Sequence, residues 1–264
     1  MLEIKDVHKT FNPGTINEKK ALNGLNLTLN DGDFVTVIGG NGAGKSTMLN
    51  MIAGVYPVDS GSIIIDGINV TKLPEHKRAK YLGRVFQDPM MGTAADMWIE
   101  ENMALASRRG QIRGLKWAIN NKEREQFKAM LSELDLGLED RLSAKVGLLS
   151  GGQRQALTLL MAVMKKPKLL LLDEHTAALD PKTAAKVLAL SDKFIAEDKL
   201  TAMMITHNMK DAITYGNRLI MMNNGQIILD VSGEEKKKLT VEYLLEAFSK
   251  LSGAEFTNDR ALLN

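Results

Sequence analysis

Residues 39–46, Gly-Gly-Asn-Gly-Ala-Gly-Lys-Ser, constrain this chain more than any other stretch. They fit G-x-x-x-x-G-K-[ST], a loop that wraps nucleotide phosphates. Gly39, Gly42 and Gly44 lack a Cβ, so the backbone can take positive φ and bring successive N–H groups close to an anion. Lys45 supplies a point charge for the β- and γ-phosphates, and the Ser46 hydroxyl is placed to bind Mg²⁺. The candidate phosphate site is the whole run Gly39, Gly40, Asn41, Gly42, Ala43, Gly44, Lys45, Ser46 and Thr47. Its flanks fit as well. Asp33 to Ile38 is an apolar, β-rich run, and Ser46 to Ile52 has helical spacing. A strand, the loop and a helix whose N-terminus faces the phosphates are the context this chemistry needs.

The 264 residues are 44% hydrophobic and 25% charged, ordinary for a globular chain able to bury a substantial core. A net charge of +2 gives a nucleic-acid partner no electrostatic support. There is no cysteine, hence neither a disulfide framework nor a thiolate metal site. The N-terminal residues are strand-like rather than arranged as a signal peptide, and the longest nearly apolar stretch, Ala156 to Met164, is too short to cross a bilayer. A soluble chain is expected. The 15 methionines are read as fillers of irregular core gaps.

Short β-rich segments dominate the first third: Leu2–Val7, Leu25–Leu29, Phe34–Ile38 and Ser62–Ile65, separated by turns. From Met97 to Met164 the period turns helical, with Phe127, Met130, Leu131 and Leu134 on one face. Leu169 to Leu172 and Ala202 to Ile205 are apolar runs of strand length, suited to a parallel sheet covered on both sides, with a crossover helix over Thr183 to Ala196. Asn223-Asn224-Gly225 reads as a hairpin turn between Ile220–Met222 and Gln226–Leu229. Glu234 to Lys238 reads as a solvated helix start. The expected architecture is α/β: a P-loop NTPase core with an N-terminal antiparallel β subdomain and an inserted α-helical subdomain. The expected boundaries are 1–88 and 166–232 for the core and β subdomain, 89–165 for the helical insert and 233–264 for a C-terminal helical tail, all within one domain.

Leu149-Ser150-Gly151-Gly152-Gln153 places small residues just before a helix over Gln153 to Met164, so its N–H groups form half a phosphate site without a lysine. Ser150 is also suited to cap that helix. Leu169 to Leu172 delivers Asp173 and Glu174 at a strand end. Asp173 suits Mg²⁺ through a water, and Glu174 can orient or deprotonate an attacking water. With these motifs the sequence resembles the ATP-binding cassette (ABC) ATPases from Leu2 to about Leu251. The resemblance implies that ATP binds with Mg²⁺ on Ser46, Gln87 and Asp173. It implies that Glu174, His207, Gln87 and Lys45 serve hydrolysis, and that Ser150, Gly151, Gly152 and Gln153 close over ATP held by another subunit. Asp180 matches the loop that crosses to that subunit. Phe11 is either the adenine platform or a core phenylalanine. His175 stands where the family usually has proline; it adds an imidazole near the catalytic acid and is read as a subfamily marker rather than a new general base, with an unusual pH profile as the expectation.

Gln87 to Ala94 and Glu100 to Ala106 resemble the ATPase subunits of bacterial importers that work with a substrate-binding protein. The whole most resembles a group paired with permeases of the branched-chain amino acid type. That implies transmembrane permease partners, an extracytoplasmic binding protein and a homodimer in the ATP state. It also implies a cytoplasmic location on the inner face of the cell membrane and, in some members, aromatic amino acid cargo. A soluble assembly ATPase of the iron–sulfur biogenesis type is the alternative. DNA-associated cassettes are disfavoured, since no sustained heptads occur.

Overall fold

The computed structural model describes residues 1–111 and 119–252. Residues 112–118 of the expected helical insert and the end of the expected tail, 253–264, lie outside them.

Among the described residues, ten strands form two sheets. Strands β1 (Leu2–Phe11), β2 (Lys19–Leu29), β4 (Ser60–Ile65) and β5 (Ile68–Asn69) make an antiparallel sheet in the order β2-β1-β4-β5. The second sheet runs β10-β9-β3-β8-β7-β6, from β3 (Phe34–Gly39), β6 (Leu82–Val85), β7 (Leu169–Asp173), β8 (Ala202–Ile205), β9 (Arg218–Asn223) and β10 (Gln226–Ser232). Its inner pairs are parallel, and the β9–β10 hairpin turns where Asn224 and Gly225 both take positive φ. Continuous apolar runs are what a doubly covered sheet demands, and alternate residues serve opposite cores. Leu169, Leu171, Met203 and Ile205 face the core shared with the antiparallel sheet and the helix Lys45–Ala53. Leu170, Leu172, Ala202 and Met204 face the core shared with the insert helices Ile99–Ser107, Asn121–Ser132 and Gly151–Val163.

Phe127, Leu131 and Leu134 are buried there, as the helical period predicts, with Met130 packed against them. Methionines Met48, Met51, Met203, Met204, Met221 and Met222 fill the interior, whereas Met90 and Met91 are exposed. The crossover helix is longer than expected, Pro181–Asp198, because Asp180 caps it and Pro181 occupies its first position. The expected solvated helix start at Glu234–Lys238 needs correction. Gly233–Lys237 is helical, but Lys236 is buried, its ammonium donating to the carbonyls of Tyr215 and Gly216; burial lowers its pKa to about 8. No helix among the described residues is long and apolar enough to cross a membrane.

Candidate active site

The phosphate loop leaves the end of β3 and enters the helix Lys45–Ala53 through Gly44, which has φ 101° and offers no side-chain cap. The helix N–H groups there are left for a ligand. Two glycines are obligatory by close approach. A Cβ on Gly39, at φ 152°, would lie 2.3 Å from the Met222 carbonyl oxygen; one on Gly44 would lie 2.6 Å from that of Ala21. The β9–β10 turn therefore supports the loop, and Gly225 N–H donates to Ala43 O at 3.0 Å. Lys45 is almost fully buried, with Nζ 2.7 Å from Gly39 O and 3.1 Å from Gly40 O. Burial lowers its pKa, against the opposing pull of Glu174 and Asp173.

A cleft of about 500 Å³ brings together Phe11, Asn41 to Thr47, Gln87, Glu174 and His207, with Lys19 and Ala21 from β2. These residues arrive from six separate places in the chain. Phe11 ends β1, with its ring edge-on to Tyr56 at 5.3 Å. Glu174 follows β7 and His207 follows β8, adjacent parallel strands, so both side chains emerge at one sheet edge. His207 Nε2 lies 2.5 Å from Glu174 Oε1. That hydrogen bond is the main influence holding the Glu174 carboxyl below its ordinary pKa. Glu174 itself has φ 45°, a left-handed backbone that β-carbon residues seldom adopt, with its N–H tied to Ile205 O at 3.0 Å.

Asp173 and the second half-site stand apart from this cleft. Asp173 lines the adjoining cavity with Gln87, and its Oδ2 lies 3.6 Å from Arg84 Nη2. Burial raises its pKa, against the opposing charge of Arg84. Arg84 also donates to Asn50 Oδ1 at 2.7 Å and lies over the Phe86 ring at 4.4 Å. The expected metal ligands are all oxygen donors: a hydroxyl, an amide and a carboxylate, suited to a hard ion that completes its shell with phosphate and water. Ser46 and Gln87 share the cleft, so the set fits Mg²⁺. Among the described residues no group of three or more His, Asp and Glu offers an alternative cation cage.

Ser150 caps the helix Gly151–Val163, its hydroxyl accepting from Gln153 N at 3.2 Å while the Gln153 side chain accepts from Ser150 N. None of Ser150, Gly151, Gly152, Gln153 or Asp180 lines the cleft of the same chain. Gly152 instead abuts the crossover helix, where a Cβ would lie 2.1 Å from Thr183 Cγ2. His175 does not line the cleft, in keeping with a marker position rather than a general base. It is 1% exposed, 2.9 Å from Ser191 Oγ within the protein, and burial lowers its pKa to about 4. The imidazole faces the crossover helix rather than the cleft.

A family profile described as ABC transporter matches residues 22–177, more than half the chain. The chain belongs to the ABC transporter family. As a cassette of that family it binds ATP and is an ATPase. A tyrosine transport ATP-binding protein of Clostridioides difficile is 46% identical over 253 residues, spanning 94% of this chain and 98% of that protein. The spermidine/putrescine import ATP-binding protein PotA of Haemophilus influenzae is 34% identical over 89% of this cassette, which matches only 59% of PotA's length. Among solved cassettes, the dimeric MJ0796 in a post-hydrolysis state bound to ADP and Pi superposes with a TM-score of 0.75 at 30% identity. That match covers 88% of this chain and 98% of MJ0796.

Proposed function

We propose that this chain powers a membrane importer for amino acids or a related small solute, two cassettes closing on ATP between them and reopening after hydrolysis. The observation that carries the reading is the one cleft in which Phe11, the phosphate loop, Gln87, Glu174 and His207 meet while Ser150 to Gln153 stand outside it. A half-site of that kind is completed by the cleft of a second copy.

In this reading the Phe11 ring receives the adenine, and the loop N–H groups with Lys45 hold the β- and γ-phosphates. Mg²⁺ on Ser46 and Gln87, with Asp173 reached through water, would offset phosphate charge. Glu174, kept ionised and aimed by His207, orients water for in-line attack on the γ-phosphorus. The bond from that phosphorus to the β-γ bridging oxygen breaks, yielding ADP and inorganic phosphate. Ser150 and Gly152 of the second copy cover the γ-phosphate, and Asp180 crosses between copies. The unit is one cassette over 1–264, with the core at 1–88 and 166–232, the insert at 89–165 and the tail at 233–264.

Permease subunits would hold it at the inner face of the cell membrane, working with an extracytoplasmic binding protein. The tyrosine-transport relative supports amino acid cargo, aromatic ones included. The iron–sulfur assembly alternative draws no support from the relatives reported above, which are named for transport. Glu174→Gln tests the reading. It should retain ATP, lose turnover by about 10²- to 10⁴-fold and elute as a dimer only with ATP. Wild-type turnover in that variant, or a monomer with ATP bound, would refute it.

A further inference from the structure

We infer that Lys19 is a second nucleotide-binding cation, contacting the α-phosphate between the adenine platform and the phosphate loop. The inference rests on the reading of the cleft as the ATP site. Lys19 begins β2 directly opposite Phe11 in the β1–β2 register, so the two side chains form one cross-strand pair, and both line the cleft. The Lys19 ammonium stands over the loop: a Cβ built on Gly42 would lie 3.0 Å from its Nζ. Gly42, at φ 80°, leaves that space to the lysine.

Its charge is free for a ligand. Among the described residues no carboxylate pairs with Lys19, whereas Lys9 is held by Asp59 at 2.6 Å. The adjacent acid, Glu18, accepts from Gly14 N at 2.8 Å. Lys45 is the only other lysine of the cleft, committed to the inner end of the loop beside Glu174. Two cations over different parts of one loop, one at Gly39 and Gly40 and the other at Gly42, divide the polyphosphate between them. The inner one serves the β- and γ-phosphates, and the outer one, beside the aromatic ring, serves the phosphate nearest the nucleoside. An α-phosphate contact is common to ATP and ADP, so it stabilises ground and transition states equally and appears in KM rather than kcat.

The test measures ADP and ATP binding by calorimetry in the Glu174→Gln background, and steady-state kinetics in the otherwise native chain. Lys19→Met should weaken both nucleotides about tenfold, as for one charged hydrogen bond. It should also flatten the salt dependence of binding and raise KM by the same factor, with kcat changed less than about twofold. Lys19→Arg should recover most of the affinity. ADP affinity unchanged in Lys19→Met, or a loss confined to ATP, overturns the assignment. Lys45→Ala separates this from the cleft itself. Affinity lost there but kept in Lys19→Met removes only Lys19; affinity kept in both removes the cleft reading as well.

Discussion

Burial decides what the two imidazoles near Glu174 can do. His207 is part-exposed, paired to Glu174 and lines the cleft; His175, one residue beyond Glu174, is enclosed and bonded to Ser191. The buried imidazole makes folding pH-dependent instead. Its pKa falls from 6.5 unfolded to about 4 folded, so between those values the unfolded chain takes up the extra proton. The associated stability is complete above pH 6.5 and is lost as pH falls toward 4. At about 1.4 kcal/mol per pKa unit, roughly 2 kcal/mol has gone by pH 5. Denaturant midpoints at pH 7.5 and pH 5 should therefore fall further for the wild type than for His175→Gln, while the ATPase pH profile above neutrality stays the same in both. Equal acid losses in the two proteins would contradict this account.

At the scale of elements, the contact between the helices Gly151–Val163 and Pro181–Asp198 runs through Gly152 and Thr183. It joins the half-site that would cover a second copy's ATP to the loop that ends at Asp180. Gly152→Ala gains up to about 1 kcal/mol of helix propensity, but a methyl 2.1 Å from Thr183 Cγ2 forces the helices apart. Overpacking of that kind costs about 1–3 kcal/mol, so a net loss of about 1–2 kcal/mol is expected by thermal unfolding. Thr183→Ser removes the clashing carbon and should restore most of it; a loss that persists in the double variant would show that the contact is not the cause.

Elements built from contiguous residues were legible before the structure: the loop, the Ser150 cap, the hairpin at Asn224-Gly225 and the Asp173-Glu174 pair. Features that depend on distant segments were not. The short strand Leu82–Val85 has only Leu82 and Val85 as apolar signals, and pairing with β7 makes it. Nothing local marks Lys19, which lies ahead of the expected strand Leu25–Leu29, and only its place opposite Phe11 and above Gly42 sets it apart. Lys236 read as one of several solvated lysines because nothing local marks the carbonyls of Tyr215 and Gly216 that receive it. Arg84 beside Asp173 was missed for the same reason.

For the whole molecule, the sheet gathers Glu174 and His207 on one edge, while the insert holds Ser150 to Gln153 outside the cleft there. In the proposed reading one chain carries a cleft without a lid and a lid without a cleft, and a head-to-tail pair with two ATP molecules inside supplies both. ATP would favour the pair through contacts it makes only when the copies are closed, since a ligand moves an equilibrium by its differential affinity. The chain has no cysteine, so introduced thiols report unambiguously. The most direct measurement mixes two Glu174→Gln proteins, one carrying Asn41→Cys in the phosphate loop and the other Leu148→Cys on the exposed residue before Leu149-Ser150, with a short bifunctional maleimide. The account predicts a crosslinked heterodimer that appears with ATP and not without nucleotide. No crosslink with ATP bound, or equal crosslinking in its absence, would contradict it.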